Sequence, residues 1–128
     1  MELAAHYASN DPVRIRSIAE THGIPSRFLV QILLQLKNAG IVASTRGASG
    51  GYQLARDPRE ISLGEVMRVM EGRVEDLQSN ASIATPISET LLDVWREVAR
   101  TEHELLDAVT FAELLERALG PEKNMYYI

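Results

Sequence analysis

The order of breakers between Arg16 and Leu54 constrains the fold more than any other feature of this chain. A short run, RSIAETHGIP, is cut by Gly23 and Pro25; an amphipathic stretch then runs to Gly40; and a glycine-rich run, RGASGG, separates two β-compatible segments. In the first run Ile18 and Ala19 offer a small apolar face, and Gly23 can take the left-handed position that closes a helix. Pro25 sits near the first helical position of the next helix, where its missing N–H costs nothing. There Leu29, Ile32, Leu33 and Leu36 share one stripe at about 100° per residue, with Arg27, Gln31 and Asn38 opposite and Gln35 beside them. Ile41 to Thr45 and Tyr52 to Leu54 read as the two strands of a hairpin with a basic tip. Helix, glycine turn, amphipathic helix and hairpin is the order of a winged helix-turn-helix.

The flanks extend this plan. Glu2 to Ala8 reads as a helix ended by Asn10, Asp11 and Pro12, and Val13 to Ile15 as a short extended link. Ser62 and Glu65 form a capping box ahead of Val66, Met67, Val69 and Met70, with Gly72 closing that helix. From Val74 to Ala84 the pattern weakens into a loop. Thr85 and Pro86 then open the longest helix, in which Leu91, Val98 and Leu105 recur every seven residues, accompanied by Ile87, Val94 and Ala108. That stripe suits helix-on-helix packing and predicts dimerisation through Ile87, Leu91, Val94, Val98 and Leu105. Thr110 and Glu113 start a last helix that ends at Gly120 and Pro121, leaving the tail EKNMYYI. The fold class is mainly α (α+β), a winged helix-turn-helix with a small β-wing and a long C-terminal dimerisation helix. The expected divisions are a DNA-binding module over 1–72, a linker loop and dimerisation helices over 73–120, and a tail over 121–128. At 128 residues there is room for one such module with its extension.

The net charge of −5 looks wrong for a nucleic-acid ligand, but the average hides an asymmetry. Val13 to Arg59 carries a balance of +5, whereas the residues from Ile61 onward stand at −7. A basic half and an acidic half imply separate duties. Cysteine is absent, which removes disulfides, thiolate nucleophiles and thiolate-held metal or iron–sulfur centres together. No apolar run approaches the roughly 20 residues of a membrane span, and the start MELAAHYASN has neither a basic region nor a cleavage site, so a cytoplasmic protein is expected. His6, His22 and His103 are scattered without ligand spacing, and no Ser/His/Asp or paired-carboxylate arrangement marks an enzyme. No cofactor is expected. The RGASGG run lacks the Lys-Ser or Lys-Thr of a P-loop and leads into no helix, so it does not read as a nucleotide cradle.

In a winged helix-turn-helix the second helix enters the major groove and the wing reaches the backbone or the minor groove. Ser26, Arg27, Gln31 and Gln35 are the candidate reading residues on that helix, because Gln bonds adenine and Arg bonds guanine bidentately. A polar helix face is also what any solvated surface helix shows. The basic hairpin directly after it, carrying Arg46 toward a narrow groove, favours DNA.

These residues resemble the Rrf2-type bacterial regulators, which include iron–sulfur sensors, nitric-oxide sensors and a regulator of cysteine metabolism. The resemblance rests on RIRSIAETHGIPSRFLVQILLQLKNAGIVASTRGASGGYQLAR, on EISLGEVMRVMEG and on LLDAVTFAEL, and covers nearly the whole chain. It implies a homodimer held by the long helix, with two recognition helices reading a partly palindromic operator in double-stranded DNA. By position it adds Phe28 to the recognition helix, and Gly50, Gly51 and Tyr52 to Arg46 in the wing. Three departures qualify it. Relatives begin with a further stretch before the first helix, whereas this chain opens inside it at MELAAHY, as a late start would give. Val30 stands where many relatives carry a Glu that tunes base choice. The sensors place three cysteines in the loop before the long helix, and the matching DLQSNASIATPISE has none, so cluster sensing does not carry over.

The ending MYYI is similar to the tail of the cysteine-metabolism regulator, which signals by binding cysteine synthase. Serine acetyltransferase docks on the same enzyme with its own C-terminal Ile. The resemblance thus offers Met125, Tyr126, Tyr127 and Ile128 as a docking peptide for cysteine synthase, the alternative being that they pack back on their own dimer. The expected function is a homodimeric DNA-binding transcriptional regulator, a repressor without an iron–sulfur cluster. The alternative is a dimeric adaptor or enzyme-binding subunit that does not bind DNA.

Overall fold

The computed structural model describes residues 1–71, 78 and 80–125, the last five as backbone only. In chain order the elements are α1 (Glu2–Ala5), α2 (Ile15–His22), α3 (Ser26–Asn38), β1 (Val42–Thr45), β2 (Gly51–Leu54), α4 (Leu63–Glu71), α5 (Pro86–Asp107) and α6 (Phe111–Met125). The strands form an antiparallel hairpin in which Val42 faces Leu54 and Thr45 faces Gly51. This is a helix-rich winged helix-turn-helix. Among the described residues no helix is long and apolar enough to cross a membrane.

The core lies where α1, α2, α3 and the hairpin meet. Leu29 and Leu33 of the predicted α3 stripe are buried, Ile32 and Leu36 are half-buried, and Ile18 and Ala19 cover them from α2. Ile41 and Ile61 are fully buried beside Leu3, Val13 and Val42. Fully burying each large aliphatic side chain stabilises by about 1.5–3 kcal/mol, which is what holds so short an α1 in place. Gly23 ends α2 with φ 63°, the left-handed geometry expected of it.

Several local readings change. The first helix ends at Ala5 rather than Ala8, and the chain turns through Asn10, itself at φ 57°, a conformation Asn tolerates. Pro25 is the N-cap of α3, and Ile15 already belongs to α2. The extended link is therefore Val13 and Arg14, and Val13 pairs with Tyr52 as an isolated bridge. Only half of the Ser62–Glu65 box forms: the Glu65 amide donates to Ser62 Oγ (3.0 Å), while the Glu65 carboxylate is taken by Arg56. Helix α6 breaks at Gly120 (φ 71°), as read from sequence, but the backbone then resumes a helical turn to Met125. Ala108 is the C-cap of α5 and not part of its face. Gly72, residues 74–77 and 79 of the linker loop, and Tyr126, Tyr127 and Ile128 lie outside the described residues, as does the side chain of Met125.

The long helix is capped locally at its start and fixed to α4 at its far end. Thr85 and Ser88 cap its start reciprocally, with Pro86 at the first helical position. At its far end Gly64 of α4 sits so close to Asp107 that a Cβ would lie 2.8 Å from the Asp107 backbone nitrogen. Arg68 donates to the Asp107 carboxylate at 2.6 Å across the same junction. The chain then returns: the Leu63 amide donates to Val109 O (2.8 Å) and the Phe111 amide to Ile61 O (2.9 Å), so Phe111 packs on the core built by α1–α4.

Candidate nucleic-acid interface

Burying Leu29 and Leu33 turns the other side of α3 outward, and Ser26, Arg27, Phe28, Gln31 and Gln35 are all exposed there. Phe28 is 60% exposed, so its ring is available for apolar contact on this face. A thymine methyl is a fitting partner for such a ring in the major groove. Pro25 offers no capping side chain, so the first-turn amides of α3 stay open to an anion such as phosphate.

The hairpin separates residues that the sequence groups together. Gly47 at the tip has φ 108°, which only glycine adopts readily, and its carbonyl accepts from the Gly50 amide at 3.0 Å. Gly50 is buried, and a Cβ there would lie 2.2 Å from Thr45 O. At Gly51 a Cβ would lie 2.6 Å from Val13 O. Tyr52 exchanges two backbone hydrogen bonds with Val13, each 2.8 Å, and its half-buried ring packs on the core. These three residues shape the wing, and Arg46 is the exposed cation they present.

Ion pairing sorts the basic half further. Arg16 is paired with Glu20 at 2.9 Å, Arg56 with Glu65 and Arg59 with Asp57 at 2.7 Å. The side-chain hydrogen bond from Arg59, followed by that from its backbone N–H, holds the Asp57 carboxyl below the usual carboxylate range. Among the described residues Arg27, Lys37 and Arg46 have no ion-pair partner, and Arg14 donates to the carbonyl of Ala48 in the wing. The positive charge left unneutralised in this half therefore belongs to α3, the wing and the residue beside the wing. Arg14 escapes sequence reading because no periodicity marks it; only the pairing of Val13 with Tyr52 brings it to the hairpin.

Two of the three histidines come together at Glu2. His22 Nε2 meets Glu2 Oε2 at 2.9 Å and His6 Nδ1 meets Glu2 Oε1 at 3.7 Å, so two of them share one carboxylate. Among the described residues no three His, Cys, Asp or Glu side chains are grouped to hold a metal.

Residues 1–117 match the family model described as Rrf2, an iron-dependent transcriptional regulator. The chain is 32% identical to the HTH-type transcriptional regulator CymR of Bacillus subtilis, over all of this chain and 90% of that one. It is 31% identical to the HTH-type transcriptional regulator IscR of Aliivibrio salmonicida, over 90% of this chain and 69% of the other. Among solved structures it matches T. potens IscR with a TM-score of 0.70 at 36% identity, over 98% of this chain and 86% of that one. It matches CymR, the global cysteine regulator of B. subtilis, also with a TM-score of 0.70, at 34% identity, over 88% and 84% of the two chains. A chain without cysteine does not fit a thiolate-held iron–sulfur cluster, whatever the family description implies about iron. On sequence, fold and surface together, the chain belongs to the Rrf2 family of DNA-binding transcriptional regulators and is not an enzyme.

Proposed function

We propose that this protein is a homodimeric repressor that reads a partly palindromic operator through paired α3 helices and wings, independently of any iron–sulfur cluster. The observation that carries this reading is the apolar face of α5: Ile87, Leu91, Val94, Val98 and Leu105 are 52% to 84% exposed on the single chain. A stripe of that kind is covered by its own copy at least cost, since a two-fold axis makes one surface serve both partners. A 22-residue helix is about 33 Å long, enough to hold two modules on successive turns of one DNA face.

Mobility shift with the DNA upstream of its own gene tests the reading. A retarded band that competes with specific but not with random DNA supports it, whereas absence of any shift at low salt favours a dimeric adaptor. In the same assay Arg46→Ala is expected to weaken operator binding by about 1–3 kcal/mol. Gln31→Ala is expected to relax discrimination at particular base pairs, as measured by selection on randomised operators. Unchanged affinity and unchanged selectivity would remove both residues from the interface.

The repressor is further proposed to respond to cysteine synthase through its tail. The support is the similarity of MYYI to the cysteine regulator's ending and the overall likeness to CymR, whose structure is described as that of a global cysteine regulator. A terminal carboxylate suits the backbone N–H groups that hold a substrate carboxylate at a helix N-terminus. Deleting Ile128 is expected to weaken binding to cysteine synthase at least tenfold, by calorimetric titration, while leaving dimerisation and thermal stability intact. Equal affinity of both forms would exclude the tail.

A further inference from the structure

We propose that Arg14 is a wing-positioning residue, acting through the backbone of the hairpin tip and not through a phosphate of its own. Its backbone and its side chain serve two different elements. The Arg14 carbonyl accepts the amide of Ile18 at 3.2 Å, which makes it the N-cap of α2. Its guanidinium donates to the carbonyl of Ala48, within the turn from Arg46 to Gly50. One residue earlier, Val13 is locked to Tyr52 by two backbone hydrogen bonds of 2.8 Å, with Gly51 leaving no room for a Cβ between them. The strap of Val13 and Arg14 therefore ties the base of the wing with main-chain bonds and its tip with a side-chain bond. Among the described residues, what holds the tip besides this tie is the hydrogen bond from Gly50 N to Gly47 O and a glycine at positive φ.

A hairpin tip rich in glycine has many conformations to lose on meeting DNA, and a charge-assisted hydrogen bond to its carbonyl removes most of them in advance. Arg46 lies in that tip, so its approach to a groove inherits the order that Arg14 imposes. The neighbouring Arg16 makes no such contact; it pairs with Glu20 on its own helix and serves as the control.

The inference rests on the proposed DNA reading only for its consequence, and two measurements keep the two apart. In the free protein, amide order parameters at Gly47 to Gly50 are expected near about 0.8 and to fall below about 0.6 in Arg14→Ala, but not in Arg16→Ala. Unchanged order parameters in Arg14→Ala overturn the proposal whether or not the protein binds DNA. On operator DNA, Arg14→Ala is expected to weaken binding roughly five- to tenfold with no change in the salt dependence, and to have little further effect in an Arg46→Ala background. A salt slope reduced by about 0.9, the signature of one lost phosphate contact, or fully additive losses, would instead make Arg14 a direct DNA contact and overturn the positioning role.

Discussion

Leu91→Asp combined with Val98→Asp is expected to yield a monomer that loses at least about a hundredfold in operator affinity. Both side chains lie on the exposed α5 face one heptad apart, so each dimer loses four large aliphatic contacts and would have to bury four carboxylates in their place. At about 1.5–3 kcal/mol per side chain the loss alone approaches the roughly 8 kcal/mol of a micromolar dimer. Each α3 then meets its half-site without a tethered partner, and the avidity of about 10²–10⁴ that the second module contributes disappears. Sedimentation velocity reports the monomer, and titration of full and half operators reports the affinities. The core of α1–α4 does not use these two residues, so the circular dichroism and thermal transition of that module should persist. A variant that remains dimeric at micromolar concentration would show that α5 is covered by something other than its own copy.

Gly51→Ala is expected to cost about 2–3 kcal/mol of stability, an unusually large effect for a glycine in a hairpin. The added Cβ would meet Val13 O at 2.6 Å and Val13 C at 2.8 Å, both main-chain atoms that cannot swing aside as a side-chain end would. Relief requires the strap to leave β2, which breaks the two hydrogen bonds between Val13 and Tyr52 and loosens Val13 in the core. For a chain of this size the thermal midpoint should fall by roughly 10 °C. Operator affinity should fall with it, because the wing is no longer anchored. Gly47→Ala is the contrasting case: nothing lies within 4 Å of its Cβ, and only φ 108° opposes it, so about 1 kcal/mol is expected. A midpoint for Gly51→Ala within about 2 °C of wild type would mean that the strap is not seated as the structure has it.

The amphipathic α3 with Leu29 and Leu33 inward, the hairpin around RGASGG, and the Thr85–Pro86 start of α5 follow from local chemistry: side-chain period, glycine at left-handed positions and capping hydroxyls act within a few residues of themselves. For the same reason the exposed α3 face and the apolar α5 stripe are readable before any packing is known. What local pattern does not contain is which of two competing partners a group will take. Glu65 completes a capping box on paper, yet Arg56 arrives from the end of β2 and wins its carboxylate, because an ion pair is stronger than a bond to a neutral amide. Gly50 and Gly51 read from sequence as parts of a wing tip, and it takes the approach of Thr45 and Val13 to show that neither position has room for a Cβ. Arg14 carries no periodic signal at all, since its partner at Ala48 is 34 residues away. By itself, then, the sequence determined the elements, their faces and the absence of any thiolate; the tertiary structure decided which cations remain unpaired and which residues hold the wing, because ion pairs and steric contacts are settled between segments distant in the chain.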